Sequence, residues 1–260
     1  MAIFAVIMSV NFTSCSDDDD NNSSGNIDPQ RVFVNGIPRQ VSDMKITRDA
    51  SGLVSKIETD DDVAVFYYPA ATTRAALTNQ HVRMEVTNDK NEETFIFDME
   101  IGENGFVKHC DEITNTWDFT YTVEGYLISM KRSEGNETTT ITYKNGDIIQ
   151  TSTVSADEKS STSSVYNIDY TSELVETPID NKGCIMLYDT TLGIDMDEMN
   201  FAFYAGLLGK ATKHLPVRFT YDSDYEYQDT SSFTWTLNAD GFPVLLSIQS
   251  KYNGEIYFIW

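Results

Sequence analysis

Five segments of this chain repeat one local pattern: a short strand-like run, a turn that contains an acidic residue or Asn and a glycine, and a second strand-like run. The glycines are Gly52, Gly105, Gly125, Gly146 and Gly241. The middle three are spaced by roughly twenty residues, a scale at which repeat architectures occur. Glycine readily adopts the positive φ that hairpin turns require. The repetition therefore predicts a meander of antiparallel hairpins.

Asn-Gly dipeptides predict two further hairpins near the ends of this region, because they favour type I′ turns. The first joins residues 32–34 to residues 37–41 through Asn35-Gly36. The second joins Lys251-Tyr252 to residues 255–260 through Asn253-Gly254. The C-terminus is therefore expected to be held in a strand rather than frayed.

Apolar and polar residues alternate along several of the predicted strands. Phe119, Tyr121 and Val123 are expected to face one way, with polar residues between them, and Ile141 and Tyr143 repeat the pattern. This one-sided alternation is typical of an antiparallel sheet with one face in water. The Ser/Thr-rich stretch 151–164 reads as a long exposed hairpin tip rather than a domain linker.

Residues 195–208 interrupt the strand pattern and predict a helix. Asp195 with Glu198 three residues later matches a capping box, and Gly209 can end the helix. Apolar residues cover most of its sides, so it should be enclosed; its main stripe is Met196, Met199, Phe203 and Leu207. We interpret this stripe as core rather than as a ligand groove.

These observations predict a mainly β fold. The expected architecture is a single strongly curved antiparallel sheet, a hairpin meander shaped like a half-barrel. It wraps around one short buried helix near residues 195–208.

The N-terminal residues carry a second signal. The apolar run at residues 2–12 is too short to span a bilayer, which needs about 20 residues, and it fits the core of a signal peptide. Thr13 and Ser14 then lead to Cys15, as in a lipoprotein signal. No basic residue precedes the run, so the true start codon could lie upstream. The alternative is a buried strand with an incidental cysteine.

The lipoprotein interpretation divides the chain into three parts. Residues 1–15 form the signal with lipidation at Cys15, residues 16–26 form an acidic flexible tether, and residues 27–260 form one β-repeat domain. The tether has no apolar residue and should reach about 20 Å. Its acidic start resembles the export tag of Bacteroides surface lipoproteins, which implies an outer-membrane protein exposed on the cell surface. Retention on the periplasmic side is the alternative.

Composition limits the partners. Eighteen basic residues against 41 acidic residues give a net charge of −23, which repels nucleic acid and anionic lipid headgroups. We interpret the charge as a solvated acidic surface on a monomer whose contact with the membrane is the lipid at Cys15. Cys110 and Cys184 could pair in an oxidising compartment, but nothing in the sequence places them together, and free thiols are favoured.

Residues with catalytic or metal-binding chemistry are few, and no cofactor site is predicted. His109 and Cys110 are adjacent on a strand and should face opposite sides, which argues against a Cys–His dyad. Asp222, Asp224 and Glu226 alternate on a predicted strand and could hold Ca²⁺. A solvated acidic face is the favoured interpretation of these three residues.

The Cys15-Ser-Asp-Asp-Asp-Asp start, the strand–glycine–strand repeats and the segment 193–216 together resemble a family of Bacteroidales lipoproteins built on a domain of unknown function. The segment 193–216 is the most specific part of the likeness, which covers most of residues 27–260. The repeats are also distantly similar to the Tyr-Asp repeats of Rhs-type proteins. The resemblance implies no catalytic residues.

Three functions follow as hypotheses. The first is a non-catalytic surface module that binds a glycan or a protein. The second is an enzyme that degrades an extracellular polymer with paired Asp and Glu residues. Among forty-one acidic residues such pairs occur by chance, so the sequence does not test this hypothesis. The third is a structural or assembly component of the envelope. We rank them in that order.

Overall fold

The computed structural model describes residues 32–33, 35–69, 80–156, 161–223 and 229–260. Within these residues, sixteen antiparallel strands close into a barrel. They are β1 (Gln40–Val41), β2 (Met44–Arg48), β3 (Val54–Glu58), β4 (Asp62–Tyr67), β5 (His81–Asn88), β6 (Thr94–Ile101), β7 (Val107–Asp111), β8 (Thr116–Tyr121), β9 (Leu127–Arg132), β10 (Glu137–Lys144), β11 (Asp147–Ala156), β12 (Ser161–Asp169), β15 (Arg218–Ser223), β16 (Asp229–Leu237), β17 (Pro243–Gln249) and β18 (Gly254–Ile259).

The sheet order follows the chain order with two exceptions. β12 pairs with β15, and β1 pairs with β18 to close the barrel. The chain between β12 and β15, residues 170–217, leaves the wall and fills the interior, and we call it the plug. It contains α1 (Tyr188–Leu192), α2 (Met199–Tyr204) and a small sheet of β13 (Ile179–Asp180) with β14 (His214–Leu215).

All five predicted glycine hairpins are confirmed, and four of them share one turn. In the first, the N–H of Asp49 donates to the carbonyl of Leu53 at 2.8 Å, and the N–H of Gly52 donates to the carbonyl of Asp49 at 3.0 Å. The Asp49 carboxylate also accepts the N–H of Ser51 and of Leu53. The same side-chain bonding recurs at Asn238 before Gly241 and explains the Asp or Asn of these two turns, and the φ of +84° at Gly52 explains its glycine.

The prediction of a half-barrel is wrong, because the sheet closes completely. Each glycine hairpin carries a register shift beside its turn, for example between Thr47 and Arg48 or between Thr120 and Tyr121. Such bulges bend a strand and increase its twist. The bends are repeated at one end of the barrel. They therefore coil the sheet until its first and last strands meet.

The prediction of one helix over residues 195–208 is also wrong in extent. Asp197 adopts φ +44°, so the helix begins only at Met199, and Asp195 accepts the N–H of Asp197 instead of capping a helix. Gly206 adopts φ +79° and ends the helix before Gly209. The predicted burial is confirmed, because Met199, Phe203 and the following Leu207 are fully buried. None of the helices in the described part of the chain has the length and hydrophobicity to span a bilayer.

The predicted N-terminal hairpin is wrong, and the C-terminal hairpin forms with a different turn, because Lys251 and Tyr252 lie in the connection and Gly254 begins β18 without a positive φ. Val32 and Phe33 are buried in the interior, where Phe33 packs edge-on against Phe203, and only Gln40–Val41 forms a strand. Burial of two large apolar side chains outweighs the turn preference of Asn-Gly. At the other end, β17 and β18 pair with Ile248 opposite Gly254. Trp260 then donates its indole N–H to the carbonyl of Pro243 at 2.7 Å.

The two ends of the barrel differ. Successive connections of an antiparallel meander alternate between ends, so the five glycine turns lie at one end, which we call the glycine-turn end. The connections at 59–61, 89–93, 112–115 and 133–136 lie at the other, which we call the loop end. The plug begins and returns at the glycine-turn end, where Lys210 donates its N–H to the carbonyl of Gly125.

The wall is apolar inside and mostly polar outside. On β8, Trp117 and Phe119 are buried in the interior and Thr120 is exposed, as the alternation predicts. The predicted inward position of Val123 is wrong, because Val123 lies in the turn and is 96% exposed. The Ser/Thr-rich stretch does form a hairpin of β11 and β12, and residues 157–160 lie outside the described residues.

Candidate functional site

A cavity of about 190 Å³ opens at the loop end, between the barrel wall and the plug. Three strands, two loops and the segment that leads into α2 contribute side chains to it. The lining combines three aromatic rings, four carboxylates, one guanidinium and two uncharged polar groups: Phe95, Phe97, Trp117, Glu112, Glu134, Asp197, Glu198, Arg132, Thr114 and Asn115.

Arg132 is the centre of this cavity. It ends β9 and lies directly opposite Trp117 of β8, so both side chains point into the barrel. The guanidinium carbon lies 4.8 Å from the centre of the Trp117 ring, and that ring stacks in parallel on Phe119. The Arg132 side chain is only 13% exposed. A cation over the face of tryptophan is favourable, and more so where water is excluded.

Three carboxylates neutralise Arg132. Its Nη2 atom contacts Glu134 in the loop after β9 and Asp197 in the plug, and its Nη1 atom lies 3.8 Å from Asp195. Arg132 therefore ties the plug to the wall at the loop end. Its Nε atom is buried and makes no hydrogen bond among the described residues.

Asp197 is the most perturbed acid of the cavity. Burial and the neighbouring carboxylate of Asp195 raise its pKa to about 6, although Arg132 acts in the opposite direction. Its backbone is in the left-handed region, with φ +44°. Strained backbone and shifted acids are enriched at functional sites. This combination marks Asp197 as a functional candidate.

Two loops are bound together at the rim of the cavity. Asn115 is buried, and its Oδ1 atom accepts the hydroxyl of Ser133 at 2.6 Å and the N–H of Glu134 at 2.9 Å. Glu112 accepts both the N–H and the hydroxyl of Thr114. The bonds to Thr114 hold the Glu112 carboxylate, and the Asn115 side-chain amide donates to the Glu134 carboxylate at 3.4 Å. Phe95 is 38% exposed and offers a free aromatic face beside them.

The residues singled out from the sequence lie away from this cavity. His109 and Cys110 face opposite sides of β7, as expected: the His109 ring hydrogen-bonds Asp118 at 2.7 Å outside, which raises its pKa, and Cys110 is buried. Cys110 and Cys184 are both free thiols. Burial raises the pKa of Cys110 to about 12.

The other two histidines form hydrogen bonds with aspartates. His81 bonds Asp98 at 2.6 Å on the outer wall. His214 lies in β14, where its Nδ1 atom and its backbone N–H both bond the Asp147 carboxylate, at 2.7 and 2.8 Å. This second pair fastens the plug to β11.

The predicted calcium candidates cannot be judged together, because Asp224 and Glu226 lie outside the described residues. Asp222 is exposed on β15. Within the described ranges, no group of three or more His, Cys, Asp or Glu side chains is arranged to hold a metal ion. Cys15 and the tether also lie outside the described residues.

Sequence reasoning missed the central residues of the cavity. Arg132 follows Leu127 and Met130 at an inward position of β9, and a lone charge in an inward register could have been noticed. Asp195 and Asp197 were interpreted as helix-start residues, which hid their contact with Arg132. Asp195 and Asp197 lie more than sixty positions after Arg132 in the chain, so their contact with it leaves no local pattern in the sequence.

Comparison with known proteins finds a matching family model and solved structures with a similar fold. The family model described as "Domain of unknown function (DUF4595) with porin-like fold" matches residues 40–245. No curated protein matches the chain. The family match confirms that part of the predicted resemblance which concerns a domain of unknown function.

Two crystal structures have a similar fold. A porin-like protein from Bacteroides uniformis ATCC 8492 matches with a TM-score of 0.57 and 16% identity, over 83% of this chain and 88% of that chain. A porin-like protein from Bacteroides vulgatus ATCC 8482 matches with a TM-score of 0.56 and 12% identity, over 86% of this chain and 98% of that chain. At such identities the likeness concerns the fold alone.

Proposed function

Because the chain belongs to the family of domains of unknown function with a porin-like fold (DUF4595), we propose a function that fits a plugged barrel with a cavity at one end. The domain is a non-catalytic binding module that takes a sugar unit of a glycan in the loop-end cavity. It is carried on the cell envelope by a lipid at Cys15.

A binding role suits this barrel better than a channel role. Outward positions of β10 are Thr138, Thr140, Thr142 and Lys144, whereas a lipid-facing wall requires an apolar outer band. Apolar residues do occur outside, at Val63, Val65 and Tyr67 of β4 and at Tyr257 and Ile259 of β18, but the polar outer face of β10 interrupts any continuous apolar band. Buried plug residues, among them Met196, Met199, Phe203 and Leu207, fill the interior of the barrel.

The make-up of that cavity is the observation that carries the proposal. A sugar presents hydroxyl groups around its edge and a C–H face above and below. The cavity offers planar polar partners in the carboxylates of Glu112 and Glu134, and an exposed ring in Phe95. A mostly preformed pocket with a few convergent polar groups is the usual form of a small-ligand site.

The direction of the chain supports display of this cavity away from the membrane. Arg39 donates its N–H to the carbonyl of Ile259, at the glycine-turn end of β18. The N-terminal chain therefore joins the barrel at the end opposite the cavity. With a lipid at Cys15 and a tether at residues 16–26, the cavity would face outward from the cell surface.

A glycan array followed by calorimetry tests the binding role. The expected result is binding of at least one glycan that Phe95→Ala weakens about tenfold, since the ring supplies the apolar face of the site. Tyr252→Ala removes an aromatic residue that is 77% exposed elsewhere and serves as the matched control. An array without binders, or equal effects of the two variants, would contradict the proposal. A secreted-protein array run beside it would identify a protein ligand instead.

Lipidation and display need their own test. Metabolic labelling with a fatty acid should mark the wild-type chain and fail for Cys15→Ala. Protease treatment of whole cells should then remove the wild-type domain. Absence of label would refute the anchor. Label together with protease resistance in intact cells would place the domain on the periplasmic side.

A second candidate function rests on Asp197. A carboxyl with a pKa near 6 can serve as a general acid, and Glu112, Glu134 and Glu198 lie in the same cavity. A hydrolase of extracellular glycans would use such a pair. Release of reducing ends from array-positive glycans, lost in Asp197→Asn, would favour this function. Binding without any release would favour the module.

A further inference from the structure

Basic and aromatic side chains gather at the glycine-turn end, where the plug returns to the wall. Lys210 donates its N–H to the carbonyl of Gly125 at 2.9 Å, and its ammonium nitrogen lies 5.9 Å from the centre of the Tyr126 ring. A Cβ atom at Gly146 would lie 3.2 Å from the hydroxyl of Tyr126 and 3.4 Å from the Cβ atom of Lys213. With two neighbours in the same turns they form what we call the lysine patch: Val123, Tyr126, Lys144, Lys210 and Lys213.

The lysine patch is open to water, and its cations are available. Val123 is 96% exposed at the tip of its turn, and Lys144 and Lys213 are exposed beside Gly146. Among the described residues, ion pairs engage Lys90 and Lys108 but none of the three lysines of the patch. An anionic group that approaches this end therefore meets lysines that no carboxylate holds.

The acidity of the barrel is greatest at the other end. The four loop-end connections hold Lys90 and seven acids: Asp60, Asp61, Asp89, Glu92, Glu93, Glu112 and Glu134. Beside the lysine patch, Asp147 and Asp180 both contact His214, at 2.7 and 3.7 Å, and Glu124 is exposed. The repulsion of anionic lipid expected from the net charge is therefore directed mainly away from the patch.

The patch also lies at the end of the barrel that the N-terminal chain joins, where Arg39 bonds Ile259. A lipid at Cys15 would hold this end beside the headgroups. Lysine side chains reach phosphates while their stems cover apolar surface, and tyrosine suits the boundary between lipid and water. Clustered lysines next to an anchor are the usual means by which a protein binds an anionic membrane surface.

We propose that the lysine patch is a membrane-docking surface that rests on phosphate-bearing lipid headgroups. The inference rests on the proposed lipid anchor, which keeps the patch close to the bilayer. Lys144, Lys210 and Lys213 contact phosphates, and Val123 lies among the headgroups. Docking at this end turns the loop-end cavity away from the membrane.

Sedimentation with lipid vesicles tests the patch apart from the anchor. The full chain carries Cys15→Ala, so no acyl chain contributes, and circular dichroism confirms that each variant is folded. At low salt the chain should sediment with vesicles of phosphatidylcholine and phosphatidylglycerol in equal parts, and less with phosphatidylcholine alone. Replacing Lys144, Lys210 and Lys213 together by Gln should weaken this binding at least about tenfold, since each lysine near an anionic surface contributes about fivefold.

A second triple variant is the matched control. Replacing Lys90, Lys131 and Lys251 by Gln makes the same change in charge towards the loop end and should leave binding unchanged. Absence of sedimentation with the mixed vesicles, or equal weakening by the two triple variants, would overturn the inference. Fatty-acid labelling and the glycan array would still decide the proposed anchor and the proposed binding role.

Single substitutions separate a membrane from a soluble phosphate. Val123→Asp should weaken sedimentation, whereas Ile113→Asp, at a residue 83% exposed at the loop end, should have no effect. Equal effects of the two would overturn the docked orientation. Release of the chain from vesicles by millimolar glycerol phosphate, at constant ionic strength, would assign the lysines to a small phosphate ligand and overturn the membrane surface.

Discussion

Gly193 is the position at which the packing of plug against wall can be tested most sharply. It ends α1 in the left-handed region, with φ +63°. A Cβ atom placed there would lie 2.3 Å from the Cγ atom of the Tyr166 ring on β12. Gly193→Ala therefore introduces both backbone strain and a clash between the plug and the wall.

The magnitude follows from these two terms. An alanine in the left-handed region costs about 1–2 kcal/mol. Overpacking a filled core by a methyl group costs about 1–3 kcal/mol, and the stem of a half-buried tyrosine has little freedom to move aside. We expect Gly193→Ala to lower the free energy of unfolding by about 2–5 kcal/mol.

Urea denaturation followed by tryptophan fluorescence and circular dichroism measures the change. Gly36→Ala is the matched control, because Gly36 has φ +86° with no atom within 4 Å of its Cβ position. Gly36→Ala should therefore lower the free energy of unfolding only by the cost of the left-handed backbone. In a Tyr166→Ala background, Gly193→Ala should likewise cost about 1–2 kcal/mol. Equal costs of Gly193→Ala with and without Tyr166 would refute the packing of plug against wall.

Three other expectations come from polar side chains. Thr151→Val removes the bond from a fully buried hydroxyl to the carbonyl of Leu192 (2.8 Å) and should destabilise by about 1–3 kcal/mol in urea melts, whereas Thr142→Val on the outer face should be neutral. Tyr188→Phe removes a buried hydroxyl without a partner among the described residues, so the same melts should show unchanged or increased stability, and a clear loss would reveal a missed partner. Asp197 has a raised pKa, so its contribution to stability is present below pH 4 and declines as pH rises through about 6. The stability of Asp197→Asn relative to wild type should therefore rise from pH 4 to pH 7, by about 1 kcal/mol after allowance for partial exposure, and a flat difference would contradict the shift.

The strands were predictable because their signals are local. The Asp49–Leu53 turn needs only an Asp that bonds its own backbone and a glycine at positive φ, and both are visible in the sequence. Closure was not predictable, because it arises from bulges such as that at Thr120 and Tyr121, whose bends add up around sixteen strands. The helix was overestimated because left-handed backbone at Asp197, a non-glycine residue, has no sequence signature.

The cavity was hidden for a similar reason. Its acids were visible as acids, but the chain contains forty-one of them. Only the fold brings Asp195 and Asp197 against Arg132 and Arg132 against Trp117. Lipidation at Cys15 remains a prediction from the N-terminal sequence, and fatty-acid labelling tests it.

Conductance across planar lipid bilayers tests most directly the central claim that this porin-like barrel is a plugged binding domain with a wall that faces water. We expect the purified chain, added alone or from detergent, to produce no stepwise ion conductance at any voltage that the membrane tolerates. A porin-like protein of known conductance serves as the positive control. Reproducible conductance steps from this chain, abolished by a substitution within the interior, would contradict the account.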